Sequence, residues 1–189
     1  MQFSHGLLQA MVRYQMDAKL IPLFASLFFL ASCSYNQTTS GPVKLGKPIS
    51  EAQVAAWNID ISESGIGLPT GSSTPKIGAT IYQEKCALCH GDKGQGGVAN
   101  QLVGGGALNT EKPIKTVGSF WPYTATIFDY VKRSMPHQAP QSLTNAEVYG
   151  VTAYILYMNK IIGFEDVMNA KTLPLVKMPN RDGFIRIEQ

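Results

Sequence analysis

Cys86-Ala87-Leu88-Cys89-His90 decides how this chain is read. Cys-x-x-Cys-His is the spacing at which a c-type haem is attached. On one helical turn, residues three and four apart share a face, so two thiols can reach the two vinyl groups of the porphyrin while His90 faces the iron as proximal ligand. Two other readings compete. Half of a tetrahedral zinc site would need two further ligands, and apart from this cluster and Cys33 the chain beyond the export segment offers only His137. A thioredoxin-like redox pair would need a strand before it and a helix after it, and neither pattern flanks these residues. The haem reading is the one carried forward: one haem c, covalent through Cys86 and Cys89.

Upstream, the chain reads as an export signal. Lys19 precedes an apolar run, Leu20 to Leu30, too short to span a bilayer and of the length of a signal h-region. The run closes in Leu30-Ala31-Ser32-Cys33, which resembles the lipobox of bacterial lipoproteins, where cleavage before the cysteine leaves it diacylated. Residues 1–32 are therefore expected to be a lipoprotein signal peptide and Cys33 the lipid attachment, holding the protein in the periplasm on a bacterial membrane. An ordinary signal peptide and an uncleaved anchor are the alternatives, and Met16 competes with Met1 as the start. Two cysteines on haem and one on lipid leave none for a disulfide. About 157 residues remain, a one-domain length. From residue 34 onward there are 14 Lys and Arg against 12 Asp and Glu. That near-neutral balance does not point to nucleic acid.

Residues 33–74 read as a lipid-anchored tether and N-terminal extension, polar and Gly/Pro-containing at first. Within it Ser50-Glu51-Ala52-Gln53 matches a capping box, with Ile49 and Val54 spaced for a hydrophobic staple, predicting a short helix to about Trp57. The haem domain is expected over 75–162. Thr74-Pro75 opens a helix whose Ile77, Ile81 and Tyr82 lead into Cys86. Residues 91–106 hold seven glycines and read as loop. A phosphate cradle would need a strand before it and Lys-Ser/Thr after it, and has neither. Pro122 to Arg133 reads as a helix stopped by Pro136. Thr144-Asn145-Ala146-Glu147 is a second capping box, opening the strongest helix, Val148 to about Met158. Gly78 with Tyr82, and Gly150 with Tyr154, mark faces on which the first and last helices can cross closely. No convincing strand is visible. The expected fold is all-α, about three main helices around one haem, with irregular extensions. The C-terminal extension, 163–189, carries Phe164, Leu173, Met178 and Phe184, too apolar for a solvated tail, and is expected to pack on the domain or a partner.

The second iron face needs a ligand, and Met135, His137, Met158, Met168 and Met178 are available. Met135 is best placed, 45 residues after His90 and held by Pro136 in a segment that is not helical. His137 is its rival. A soft thioether raises the potential, whereas a second imidazole lowers it.

Lys115-Thr116-Val117-Gly118-Ser119-Phe120-Trp121-Pro122-Tyr123, Arg133-Ser134-Met135-Pro136, Ala139-Pro140-Gln141-Ser142-Leu143-Thr144 and Thr152-Ala153-Tyr154-Ile155-Leu156-Tyr157 together resemble the cytochrome c subunits of bacterial sulfite dehydrogenases and of the sulfur (sulfane) dehydrogenase of thiosulfate oxidation. The similarity extends through Ala56-Trp57-Asn58-Ile59-Asp60 upstream and Lys177-Met178-Pro179-Asn180-Arg181-Asp182-Gly183-Phe184 downstream. It implies a class I cytochrome c fold, ligation by His90 and Met135, and a molybdenum-cofactor sulfite/sulfane dehydrogenase subunit that performs the oxidation. Only the single-haem portion of the two-haem members is matched. Class I cytochromes also usually carry Pro before Leu after the haem motif, whose carbonyl orients the proximal His; here Asn100-Gln101-Leu102 stands instead.

The function expected is therefore electron transfer, with no catalysis by the chain itself: electrons enter from the dehydrogenase and leave to a downstream cytochrome or terminal oxidase. Trp121 and Tyr123 are candidates for contact with the haem propionates, against a packing role. Lys112, Lys115, Lys132 and Arg133 are candidates for a ring that docks an acidic partner, against an ordinary solvated face. A general shuttle to a terminal oxidase shares every local motif, and a haem peroxidase would need an open sixth site.

Overall fold

Ser50 begins the first helix by supplying what its free amides lack. In the computed structural model, which describes residues 45–185, its hydroxyl accepts from Gln53 N at 3.3 Å while Gln53 Oε1 accepts from the Ser50 amide at 2.9 Å, and helix α1 runs Glu51–Trp57. Ile49 and Val54, spaced for a staple, stay largely exposed. The apolar N-terminal run, Cys33 and the start of the tether lie outside the described residues.

Helix α2, Pro75–Lys85, starts with Thr74 Oγ1 accepting from Ile77 N and Pro75 in the first turn. Ile77 faces solvent; the buried side is Gly78 and Tyr82. The helix breaks at Cys86, and one further turn, α3 (Ala87–His90), carries the rest of the motif. Gly91 ends that turn at φ +81°, a conformation that a side chain would strain. The chain thereby doubles back toward Asn100.

Helix α4, Thr124–Ser134, buries Ile127, Phe128 and Val131. It starts two residues later than Pro122 because Tyr123 is extended, and stops at Met135, ahead of Pro136. Helix α5, Asn145–Met158, is buried on nearly all sides and crosses α2. At the crossing, a Cβ on Gly78 would land on the Gly150 carbonyl, so the two backbones touch where the two glycines coincide. Tyr82 and Tyr154 pack beside it, centroids 5.4 Å apart.

The described residues thus hold five α-helices, three of them long, and a short 3-10 turn at Leu173–Leu175; the turn Ala87–His90 stands as a separate helix beside the three main ones and the short first helix that were expected. They also hold a strand pairing that the sequence reading did not foresee: β1 (Ser72–Ser73) lies antiparallel to β2 (Met168–Asn169). Two residues per strand are too few for an alternating pattern to show. Beyond α5, Met168, Leu173 and Met178 are buried; Thr124 Oγ1 donates to the Leu173 carbonyl at 2.6 Å, and Asn180 Nδ2 to the Phe120 carbonyl at 2.7 Å. Those residues belong to the same core as α4 and α5. No helix of the described residues is long and apolar enough to cross a membrane.

The cap of α5 makes a testable contribution. Thr144 Oγ1 accepts from Glu147 N at 3.3 Å, and Glu147 Oε2 accepts from the Thr144 amide at 2.7 Å and its hydroxyl at 2.8 Å. These bonds, the amide's first, hold the Glu147 carboxyl below its ordinary range. A depressed carboxyl pKa stabilises the fold above the unfolded-state value and loses that effect as pH falls. Thr144→Ala is expected to cost about 1 kcal/mol in urea unfolding at pH 7. The deficit should shrink as pH drops through the carboxylate range; an unchanged deficit at low pH would remove the charge from the account.

Candidate functional site

His90 sits at the end of α3, and its ring is already oriented. Nδ1 lies 2.7 Å from the carbonyl oxygen of Asn100. A carbonyl only accepts, so Nδ1 carries a proton, and in the neutral ring Nε2 is then the nitrogen with the free lone pair. The missing proline is therefore no obstacle: a backbone carbonyl delivered by the glycine loop supplies the orienting bond. Gly96 N→His90 O at 2.7 Å and Ala99 N→Cys89 O at 2.9 Å fold that loop against the motif.

Cys86, Cys89 and His90 line a cleft of about 480 Å³, and so do Met135, Pro136 and His137. That volume is within the usual range for a cofactor site. The two cysteines are not joined in a disulfide, and burial pushes an unreacted Cys86 thiol up to about 11. Tyr82 closes the floor, its hydroxyl donating to the Gly91 carbonyl at 3.0 Å, and burial raises its phenol far above the ordinary value. Val117, Ile127, Val131, Val151 and Ile155 make an apolar wall, all buried in the core. Lys85, Gln101 and Lys115 stand among the polar residues of the lining.

Met135 is placed by the end of α4. Its amide donates to Val131 O at 3.1 Å, its backbone turns extended, and the Met135-Pro136 peptide is cis. Met135 and His137 both line the cleft. Met158, Met168 and Met178 do not; the last two are core residues.

Trp121 lines the cleft and meets Tyr130 edge to face, centroids 5.7 Å apart. Tyr123 does not reach it. The Arg181 guanidinium lies over the Tyr123 ring at 4.2 Å, which makes this tyrosine a packing site for the C-terminal segment.

The cation cluster divides in the same way. Lys115 lines the cleft with its ammonium over the Phe120 ring, 4.9 Å from the centroid. Lys132 instead donates to Asn145 Oδ1 at 2.7 Å, and Arg133 binds Asp129 and Asp60. Those two cations are spent on the fold, while Lys85, next to Cys86 in the chain, joins Lys115 at the cleft. Adjacency to the motif is the sequence signal that identifies it. A second hollow of about 410 Å³ is lined by Gly104, Gly118, Asn159 and Asn180. Both ends of the Asn159 amide are already bonded, to Gly104 N, Leu102 O and Ile155 O, so it offers no ligand set.

The donor set fits a haem c: two cysteines and an oriented imidazole on one turn, and a methionine and an apolar wall lining the same cleft. Among the described residues no group of three or more His, Cys, Asp or Glu is arranged to hold a bare metal ion, which sets aside the zinc reading there.

Comparison with known proteins agrees. The pattern of the family described as cytochrome c oxidase, cbb3-type, subunit III, matches residues 73–155. A thiosulfate dehydrogenase of Stutzerimonas stutzeri (strain A1501) is 36% identical over 90 residues, covering 46% of this chain and 28% of that protein. The chain thus spans less than a third of that relative's length. The crystal structure of the sulfane dehydrogenase SoxCD from Paracoccus pantotrophus superposes with a TM-score of 0.72 at 35% identity, covering 78% of this chain and 73% of the other.

Proposed function

Since the chain belongs to the c-type cytochromes that serve as subunits in the oxidation of sulfur compounds, we propose that it is a single-haem electron carrier, accepting electrons from a molybdenum sulfite or sulfane dehydrogenase subunit. Cys86 and Cys89 hold the haem covalently, and His90 and Met135 ligate its iron. When bound, the haem supplies one-electron chemistry, cycling between ferric and ferrous iron. The residues do the rest. Asn100 O keeps the His90 ring in the ligating tautomer, the wall of Val117, Ile127, Val131, Val151 and Ile155 excludes water, and Lys85 and Lys115 give the cleft a positive rim. The observation that carries the reading is the meeting in one cleft of an imidazole with its Nδ1 proton already committed and a thioether. Ligation by Met135 would leave no open site of the kind a peroxidase-like role needs. Anchoring to a bacterial membrane through a lipid on Cys33, in the periplasm, with a downstream cytochrome or terminal oxidase as acceptor, completes the proposal.

Charge steering gives the test. Stopped-flow reduction of the haem-loaded protein by the candidate dehydrogenase, with sulfite or a sulfane substrate, should slow as ionic strength rises and the Debye length falls below about 10 Å. Reversing Lys85 and Lys115 to Glu should slow it about tenfold at low salt, with haem content unchanged. No reduction with either substrate, while a terminal oxidase draws electrons readily, would replace this reading with the general shuttle.

A further inference from the structure

Helix α4 ends one residue before Met135, so the direction of its last turn sets where the thioether lies. That turn carries two cations, and both are tied down. Arg133 Nε donates to Asp129 Oδ1 at 2.7 Å, one turn back along the helix. Its Nη2 donates to the Ile59 carbonyl at 2.8 Å and to Asp60 Oδ1 at 2.8 Å, more than seventy residues away in the chain. Lys132 reaches Asn145 Oδ1, and Asn145 Nδ2 donates in turn to the Thr70 carbonyl at 3.2 Å. The neighbouring Pro69 carbonyl accepts from the Tyr149 hydroxyl at 2.9 Å. Residues 59–70 are thus fastened to the last turn of α4 at one end and to α5 at the other. The guanidinium is the only group here with the fork geometry to bond a helix carboxylate and a distant carbonyl together.

We propose that Arg133 is a positioning residue for the sixth ligand: by tying the last turn of α4 to Ile59 and Asp60, it holds the Met135 thioether in the cleft, and the segment before the haem-binding helices acts as a brace on the ligand loop. This rests on Met135 being a ligand. The holding bonds are those to Asp129 and to the Ile59 backbone. The Asp60 carboxylate is 87% exposed and adds little, since exposed pairs are screened.

The test uses the ferric, haem-loaded protein and imidazole as a competing ligand, read alongside the near-infrared sulfur-to-iron charge-transfer band. Arg133→Gln should weaken the band and tighten imidazole binding about tenfold, the equivalent of one charge-assisted hydrogen bond. Arg133→Lys, the fallback if the Gln variant does not fold, should move both in the same direction by a smaller factor, and Asp60→Asn less than twofold. Leu173→Ala, a buried substitution at the opposite end of α4, is the stability control and should move neither. Unchanged imidazole affinity and band in both Arg133 variants, or an equal change in Leu173→Ala, overturns the brace while leaving Met135 ligation intact. A wild-type protein without the band, or a band that survives Met135→Ala, overturns the ligation and the brace together.

Discussion

Replacing Met135 with alanine is expected to abolish the near-infrared sulfur-to-iron band and to lower the midpoint potential by on the order of 0.1–0.3 V, a fraction of the roughly 0.8 V that axial ligands span. The haem should stay covalently bound, because its attachment is to Cys86 and Cys89 and not to Met135. The sign follows from ligand softness: a thioether stabilises ferrous iron relative to water or imidazole, so its loss favours the ferric state. His137 belongs to the same cleft and is the natural replacement. The single variant should therefore show a nitrogen-ligated, low-spin spectrum, and Met135→Ala with His137→Ala should leave an open site that binds added ligands. Spectroelectrochemical titration of the three proteins separates these states. A potential unchanged in the single variant would mean that the thioether is not what sets it.

Gly78→Val should be the most damaging single substitution outside the cleft. Its Cβ would occupy the position of the Gly150 carbonyl, and backbone cannot move aside as the end of a flexible side chain can. The reverse substitution is milder: a Cβ on Gly150 would come to 2.9 Å from Ser73 Oγ and 3.2 Å from Gly78 Cα. Overpacking costs about 1–3 kcal/mol, and a clash with backbone at a helix crossing falls at or beyond the upper end. A loss of about 3 kcal/mol would lower Tm by about 6–12 °C for a chain of this size. Gly78→Ala recovers about 1 kcal/mol through helix propensity and should fall between. The measurement is thermal unfolding of the haem-loaded proteins. A Gly78→Val variant with wild-type Tm would show that α2 and α5 do not depend on this close approach.

What the sequence by itself determined was local. Cys86 to His90, Thr74-Pro75, and the two capping boxes at Ser50 and Thr144 act within four residues of themselves. Their chemistry is written in side chains at fixed offsets, and each recurs in the structure where the spacing put it. Gly78 and Gly150 were legible for a related reason: an absent side chain on an apolar helix face is itself a packing signal. The tertiary structure decided what depends on groups far apart or on groups without a signature. The resemblance pointed to Asn100-Gln101-Leu102 for the acceptor of His90, but every residue there has a backbone carbonyl, so only the fold selects that of Asn100. Trp121 and Tyr123 are two residues apart and look alike in sequence, yet one lines the cleft and the other lies beneath Arg181, a partner from the C-terminal segment that only folding brings there. Lys132 and Arg133 read as surface charge because their partners, Asn145, Ile59 and Asp60, lie on other segments. A cation's role is set by what folding brings to it, and that cannot be read from the residues beside it.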